Sequence, residues 1–410
     1  MQAEPDPLNR GRRPGTAGGF PPVPMTRDTL HFEQGPIRPP NEAASLLLRF
    51  TRNCPWNRCL FCPVYKGRRF SRRSAAEIRE DIRTARRIAD EVLETSWRMG
   101  YGGAVNDAVA GAVLQRASRH VSARSVAAWL YYGTGSCFLQ DADNLILPPG
   151  ELAELLSLLR ETFPEIRRVT TYARSRTVVT RRTEELRRIR EAGLDRVHLG
   201  LESGSDAVLR FMQKGVSAAQ HVEAGRRLIA AGLEVSEYVM PGLGGRALWR
   251  EHAVETARVL NRINPHFIRL RSLRVPRRAP LHAKLAAGEF ELPSDDEVVE
   301  EIRVFLEHLE GITSTIVSDH IMNLLEEIEG KLPEDRERML AVIRDYQALS
   351  DEERLVFRVG RRGGAFRTLQ DLERDPAAAA KIRRLVEEVR TREGADGVER
   401  FVTELVDQYI

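Results

Sequence analysis

The sequence predicts an α/β fold built around a parallel sheet, and two observations support this. Six short apolar segments lie between residues 44 and 271, and stretches with helical periodicity separate them. Strands joined by helices run parallel, and parallel strands are buried on both faces, which fits segments of which most are apolar enough to be buried. The regular βα alternation favours a partial (βα)6 barrel over an open doubly wound sheet.

The elements can be justified in chain order. The apolar run at residues 44–50 is a buried strand, and it leads directly into a cysteine-rich loop. Ser74 and Glu77 have the spacing of a capping box, which predicts a helix over residues 74–98. A second helix is predicted over residues 112–130. Further strands are predicted at 136–140, 168–173, 196–201, 235–240 and 266–271, and further helices at 149–162, 182–192, 205–212, 217–231 and 249–263.

Length and composition set the domain organisation. A chain of 410 residues allows one large domain with appendages. Residues 1–40 are rich in Pro, Gly and Arg and predict a disordered N-terminal arm. We expect the barrel core at residues 41–280 and a mostly helical C-terminal region at residues 281–410, where the sequence is charged and has helical periodicity.

Charge and hydropathy exclude several classes of protein. The net charge of +4 is small for this length, and the basic run at residues 68–73 is typical of a solvated face, so nucleic-acid binding is not expected. No apolar stretch approaches the ~18 residues that cross a bilayer. The N-terminus lacks the apolar centre of a signal peptide, so a cytoplasmic protein in a reducing compartment is expected.

The cysteine loop is the strongest chemical signal. Cys54, Cys59 and Cys62 lie within nine residues, and the only other cysteine is Cys137. Thiolates are the preferred ligands of zinc and of iron–sulfur clusters, and three of them leave one coordination position open. Structural zinc usually needs four ligands, but the loop has one CxxC pair and no histidine pair nearby. A plant-type ferredoxin has this C-x4-C-x2-C spacing and would require Cys137 as the fourth ligand.

A third interpretation is a 4Fe–4S cluster with one exposed iron, because the chain resembles the radical S-adenosylmethionine (SAM) superfamily. Four segments carry the resemblance: Phe61-Cys62, Tyr172–Arg176, Gly200–Gly204, which is similar to the G-x-E-S-G signature, and Met240–Gly244. The last is similar to a segment of the Elongator catalytic subunit and its relatives. The usual spacing in the superfamily is C-x3-C-x2-C, so this loop is one residue longer.

The resemblance implies a TIM-like partial barrel with a mostly helical C-terminal region. It also implies that a cluster and SAM bind at the carboxyl ends of the barrel strands. Cys54, Cys59 and Cys62 would ligate three irons of a 4Fe–4S cluster, and SAM would chelate the fourth iron. One electron from the cluster would cleave SAM to methionine and a 5′-deoxyadenosyl radical, which removes a hydrogen atom from the substrate. The cluster would be reduced by an external electron donor such as flavodoxin or ferredoxin.

Residues at the predicted strand ends are the candidates for SAM contacts. Glu202 would bind the ribose or amino group, and a strand-end carboxylate flanked by glycines is seldom structural. Phe61 packs either near the adenine or in the core. Asp141, or Asp143 beside it, would accept from the SAM amino group or cap the next helix. The other candidates are Ser175 and Arg176 for the ribose or carboxylate, and Gly242 and Gly244 for close backbone approach or an ordinary turn.

The cysteine count limits the reaction. Once three cysteines hold one cluster, Cys137 alone cannot build a second, which disfavours sulfur insertion and methylthiolation. A single-cluster enzyme acting on an unidentified small molecule remains, with the oxygen-independent coproporphyrinogen oxidases as the nearest comparison in layout. Arg269 and Arg271 share a strand face and could bind an acidic substrate. The alternative is a non-catalytic iron–sulfur electron-transfer protein of ferredoxin type.

Overall fold

The computed structural model describes residues 30–116 and 121–407. The strands are β1 (Leu46–Arg49), β2 (Thr51–Arg52), β3 (Ser71–Arg72), β4 (Ser136–Gln140), β5 (Arg168–Ala173), β6 (Arg196–Glu202), β7 (Glu234–Val239), β8 (Phe267–Leu270), β9 (Thr315–Val317) and β10 (Gly330–Lys331). The helices are α1 (Ala75–Arg98), α2 (Asp107–Arg116), α3 (Val121–Tyr132), α4 (Pro149–Thr162), α5 (Ser175–Val178), α6 (Thr183–Glu191), α7 (Asp206–Phe211), α8 (Ala218–Ala230), α9 (Gly245–Ile263), α10 (Leu281–Ala286), α11 (Asp295–Glu307), α12 (Arg336–Ala348), α13 (Asp351–Arg362), α14 (Asp371–Arg374) and α15 (Pro376–Asp407), the last broken at Gly394.

One curved sheet organises the molecule. Its strand order is β1-β4-β5-β6-β7-β8-β9-β10, and every neighbouring pair is parallel except β9 and β10. The terminal strands β1 and β10 do not pair with each other in the part of the chain that is described, so the barrel is partial. The predicted α/β class and partial barrel are therefore confirmed. Strands β2 and β3 form a separate antiparallel pair beside the cysteine loop.

Side-chain alternation divides the sheet into two faces. Leu46, Leu48, Cys137 and Leu139 face the outer helices and belong to a core that includes residues of α1, α3 and α4. Their neighbours along the strands point into the barrel because successive side chains of a strand alternate. Helix α1 begins where predicted, with the Ser74–Glu77 capping box formed.

The C-terminal region shares the sheet and core of the barrel. Strands β9 and β10 were not predicted, and they extend the sheet past β8, which the sequence suggested was the last strand. Ile316 of β9 packs in the same buried cluster as Ile268 of β8 and Val356 of α13. Residues 281–410 are thus mostly helical in their described part, as predicted, but they are not a separate unit.

Three other predictions need correction. The predicted helix over residues 112–130 is two helices, α2 and α3, and α9 begins at Gly245 instead of residue 249. Residues 30–40 are packed on the barrel: Phe32 is 1% exposed, and the backbone N–H of Gly35 donates to Gln140 Oε1 at 2.8 Å. The remainder of the predicted arm, residues 1–29, lies outside the described residues. None of the described helices combines the length and apolar character needed to span a membrane.

Candidate functional site

The predicted functional segments meet at one edge of the sheet. The cysteine loop follows β1 and β2, Asp141 follows β4, Ser175 follows β5, Glu202 ends β6, and Met240–Gly244 follows β7. These strands are parallel, so their carboxyl ends lie side by side. This edge is where functional groups of βα barrels collect.

Backbone contacts with distant segments hold the cysteine loop in place. The N–H of Leu60 donates to the carbonyl of Met212 at 3.0 Å, and the carbonyl of Leu60 accepts from the N–H of Leu281 at 2.9 Å. The indole N–H of Trp56 donates to the carbonyl of Gln213 at 2.7 Å. The loop is therefore tied to the segments that follow α7 and β8, and its conformation does not depend on local bonds alone.

The three thiols of the loop are half-buried and form no disulfide. Burial raises the pKa of Cys59 and Cys62, while the cation of Lys214 opposes the shift at both. The neighbouring thiols add to the rise, Cys54 and Cys62 at Cys59 and Cys54 at Cys62. Cys54 Sγ accepts a hydrogen bond from the backbone N–H of Asn57 at 3.4 Å. The described residues contain no group of three or more His, Cys, Asp or Glu side chains that converge as the ligands of a metal ion. The thiols are thus mutual neighbours without the convergence that one small ion requires.

Asp141 anchors the start of the loop. Its buried carboxylate accepts hydrogen bonds from the backbone N–H of Asn53 at 3.2 Å, from the hydroxyl of Tyr65 at 2.6 Å and from the guanidinium of Arg49. Asn53 directly precedes Cys54, and Tyr65 lies three residues beyond Cys62. The carboxylate therefore clamps both ends of the cysteine loop to β4. Its hydrogen-bonding capacity is largely used inside the protein.

Glu202 forms an ion pair with a residue that the sequence analysis did not single out. Its Oε1 lies 3.1 Å from Lys214 Nζ, and both side chains are 13% exposed. The same ammonium lies 5.6 Å from the ring centroid of Phe61, in cation–π range. Burial lowers the pKa of Lys214, but Glu202 and Cys59 outweigh that effect and raise it. Lys214 therefore places a positive charge between the strand-end carboxylate and the thiols.

The two candidates after β5 differ in environment. Ser175 is buried, and its hydroxyl is hydrogen-bonded to His221 Nδ1 at 2.8 Å, whereas Arg176 is exposed. Asp143, after β4, is buried and accepts from the hydroxyl of Thr177. Burial raises the pKa of Asp143 to about 7, against the opposing effect of the Thr177 hydrogen bond. Its Oδ1 has no hydrogen-bond partner in the described part of the chain.

Gly242 and Gly244, the two glycines after β7, are required for different structural reasons. Gly242 has a φ of +89°, which favours glycine, and its N–H donates to Glu301 Oε1 at 2.8 Å. A Cβ at Gly244 would lie 2.8 Å from the carbonyl oxygen of Leu248, so the first turn of α9 fills the space next to it. Packing against α9 thus accounts for the glycine at position 244, and the predicted approach of its backbone to SAM stays a prediction.

A buried histidine links two of these segments. His252 of α9 has Nδ1 2.8 Å from Ser203 Oγ and Nε2 3.1 Å from the carbonyl oxygen of Met240. Thr256, one turn later, accepts from the N–H of Gly204 at 2.8 Å. Helix α9 thus fixes the relative position of the segments 200–204 and 240–244.

Close packing against α9 also explains why position 204 is a glycine, and this packing can be tested by substitution. A Cβ at Gly204 would lie 2.3 Å from the carbonyl oxygen of Glu255, a backbone atom that cannot move aside cheaply. We expect Gly204→Ala to lower the free energy of unfolding by about 3 kcal/mol in urea denaturation, because overpacking forces the strand end and α9 apart. Gly111→Ala is the control, since a Cβ there meets no atom within 4 Å. The control should be neutral or stabilising by up to ~1 kcal/mol. Equal stability of the two variants would contradict the packing argument.

Cys137 lies on the other face of the sheet. It is fully buried among the outer-helix core residues, and burial strongly raises the pKa of its thiol. Its register partner is Leu46, at the first position of β1, whereas the cysteine loop follows the end of that strand. Cys137 is therefore not brought to the loop as the fourth thiolate that a ferredoxin-type site would need.

Fold and site together define a partial α/β barrel with a thiol-rich loop at the carboxyl ends of its strands. Residues 114–257, about a third of the chain, match the family described as the radical SAM superfamily. The matched range contains β4 to β7, so the cysteine loop precedes it. The comparison with curated proteins found no match.

Several solved structures are similar to this chain. Methylornithine synthase (PylB) is 14% identical with a TM-score of 0.41, and the alignment covers 68% of this chain and 67% of that one. Coproporphyrinogen III oxidase (HemN) from Escherichia coli is 16% identical with a TM-score of 0.42, covering 65% and 52%. The archaeal Methanocaldococcus infernus Elp3 with an N-terminal deletion is 19% identical with a TM-score of 0.36, covering 46% and 49%. All three TM-scores are below 0.5, so the fold assignment rests on the strand order and the family match.

Proposed function

We propose that this protein is a radical SAM enzyme with one 4Fe–4S cluster, which cleaves SAM reductively and removes a hydrogen atom from a small-molecule substrate. The observation that carries the proposal is the cysteine loop. Three free, half-buried thiols lie at the carboxyl edge of a partial barrel, beside the strand-end segments typical of the superfamily.

The donor set of the loop fits a cluster better than a single ion. Three thiolates are the ligand type that iron–sulfur clusters use, and a cluster holds its ligands at separate corners, so they need not converge on one point. The backbone N–H of Asn57 donates to Cys54 Sγ at 3.4 Å. Such hydrogen bonds to sulfur tune the potential of a cluster. When bound, the cluster and SAM together supply the one-electron cleavage that yields methionine and a 5′-deoxyadenosyl radical.

The chain's own residues contribute charge and position. Lys214 would offset the negative charge of the thiolates, and its bond to Glu202 Oε1 leaves Oε2 without a hydrogen bond to the described residues. We infer that Glu202 Oε2 is available to the amino or ribose group of SAM. Arg176 is exposed and available to its carboxylate, and Phe61 lies beside the same ammonium. Asp141 and Ser175 are already hydrogen-bonded within the protein, so we assign them to positioning.

The substrate would bind on the inward face of the sheet. His198 on β6 and Ser236 on β7 are register partners, and both side chains are fully buried. Neither ring nitrogen of His198 nor the hydroxyl of Ser236 has a hydrogen-bond partner among the described residues. Buried polar atoms without partners are costly, which suggests that a ligand or water satisfies them. Tyr172 lies 5.5 Å from His198 between ring centroids. Burial lowers the pKa of His198 well below its usual value, so the imidazole would be neutral at pH 7.

Two arginines lie on or just beyond β8, the strand next to β7 in the sheet. Arg269 is buried on β8, and its NH1 lies 3.0 Å from Asp319 Oδ2, so its charge is compensated. Arg271 is exposed just beyond β8, and its charge acts on the half-buried Tyr172 and on His320. We therefore expect a substrate with an acidic group near Arg271.

The direct test is anaerobic reconstitution with iron and sulfide, followed by SAM and dithionite. We expect 5′-deoxyadenosine and methionine in equal amounts, because each cleavage of SAM gives one of each. A reduced cluster that is intact by electron paramagnetic resonance but releases no 5′-deoxyadenosine would contradict the proposal. The ferredoxin-type alternative predicts that second result, but it depends on a fourth thiolate, which Cys137 does not supply.

A further inference from the structure

We propose that the exposed arginines beside the cysteine loop, Arg58, Arg68, Arg69 and Arg72, form the docking surface for an acidic one-electron donor protein. We call these four residues the arginine patch. The inference rests on the proposed function, because a reductant is needed only if the loop holds a reducible cluster.

The fold brings the arginine patch onto the cysteine loop. The side-chain amide of Asn53 donates to the carbonyl of Arg69 at 2.6 Å, and that of Asn57 donates to the carbonyls of Tyr65 at 2.5 Å and Arg68 at 3.3 Å. Strand β3, which contains Arg72, pairs with β2 immediately before the loop. The backbone of residues 65–72 therefore supports the loop, while the arginine side chains extend outward.

No neighbouring side chain in the described part of the chain neutralises the charge of the arginine patch. Residues 53–76 contain six basic residues and no acidic one. The neighbouring Arg52 and Arg73 are compensated, since Arg52 pairs with Glu33 and Arg73 with Asp81. The four arginines of the patch are exposed and form no ion pair with any residue that the structure describes. The surface over the thiols is therefore strongly positive, although the net charge of the whole chain is only +4.

Both location and charge select the class of partner. An electron donor must approach closely, so it must cover the segment that contains the cysteines. Complementary charge accelerates the encounter and orients the partner, and a positive surface requires a negative one. Arg58 also lies 4.9 Å from the ring centroid of Trp56, with Arg174 at 5.2 Å from the same ring. The indole between Cys54 and Cys59 is thus held next to the patch. In the transfer the donor is oxidised by one electron and the cluster is reduced by one electron, and no bond forms or breaks.

The test compares two triple variants of the full chain. Arg68→Gln, Arg69→Gln and Arg72→Gln together remove most of the arginine patch and keep the backbone carbonyls that hold the loop. The matched control is Arg187→Gln, Arg188→Gln and Arg383→Gln, three exposed arginines on α6 and α15. Flavodoxin, an acidic flavoprotein, is the probe. Its Kd is measured calorimetrically at low and high salt, and 5′-deoxyadenosine formation is measured with flavodoxin hydroquinone and separately with dithionite.

We expect the patch variant to bind flavodoxin about tenfold more weakly at low salt and to lose most of the salt dependence, while the control binds as the wild type does. In the patch variant, the rate of 5′-deoxyadenosine formation with flavodoxin should fall. The rate with dithionite should not, because dithionite needs no docking surface. Equal binding by the wild type and both variants would overturn the proposal. Unchanged flavodoxin binding with loss of binding to a single-stranded oligonucleotide would also overturn it, in favour of a nucleic-acid surface. A wild type that binds flavodoxin through the patch but yields no 5′-deoxyadenosine with dithionite would contradict the proposed function alone.

Discussion

Replacing Cys54, Cys59 or Cys62 singly with alanine is expected to abolish SAM cleavage and to remove most of the bound iron after reconstitution. Three thiolates are the minimum set for a cluster with one open iron, and Cys137 lies on the other face of the sheet, so it cannot replace a lost thiolate. The loss should exceed about 100-fold, since the one-electron chemistry belongs to the cofactor and the protein cannot replace it. Iron and sulfide analysis together with 5′-deoxyadenosine formation gives both readouts.

The matched control for these variants is Cys137→Ala. The Cys137 thiol is fully buried among apolar side chains between the sheet and the outer helices, so its replacement creates a small cavity and leaves the loop untouched. We expect normal iron content and normal SAM cleavage, with a loss of about 1 kcal/mol in unfolding free energy. Loss of iron in Cys137→Ala, or its retention in all three loop variants, would show that the cluster ligands are assigned incorrectly.

The sequence predicted those elements whose signals are local. Helix α1 begins at its capping box because Ser74 and Glu77 satisfy each other's backbone groups within one turn. Strands β4 to β8 are short, mostly buried segments rich in apolar and β-branched residues, and they were predicted within one or two residues of their bounds. Strands β9 and β10 have three and two residues, too short for any periodicity, and they form only because β8 offers an open edge. Their existence depends on tertiary pairing that no local pattern encodes.

In the candidate site, too, the features with local signals were predicted and those that depend on tertiary contacts were not. The cysteines and the strand-end segments were found because their spacing is visible along the chain. The roles of Asp141 and Lys214 could not be found in this way, because each depends on partners far away in sequence. Arg49 is such a partner of Asp141, and Phe61 of Lys214. One signal was available for Lys214: lysine is rare in this arginine-rich chain, and this lysine follows the Gly200–Gly204 segment within one short helix.

Asp141→Asn is expected to destabilise the protein and to loosen the cysteine loop. Three donors, from Arg49, Asn53 and Tyr65, meet on the two carboxylate oxygens of Asp141. An amide has one oxygen, so one side of this site would face an NH2 group, and the largely buried Arg49 would lose one of its two carboxylate partners and keep only Glu33. We expect a loss of about 3 kcal/mol in unfolding free energy and a lower iron content after reconstitution, because Asn53 directly precedes Cys54.

Asp143→Asn is the matched control, because this neighbouring carboxyl is equally buried but only one of its oxygens has a partner. Burial raises the pKa of Asp143 to about 7, so the folded protein retains a proton that the unfolded chain releases above about pH 4. The stability contributed by that proton is complete below about pH 4 and is lost as the pH rises towards 7. Asparagine imitates the protonated acid, so Asp143→Asn should keep its iron and flatten this part of the pH profile of urea denaturation. If Asp143→Asn lost iron as extensively as Asp141→Asn, the loop anchor would not be specific to Asp141.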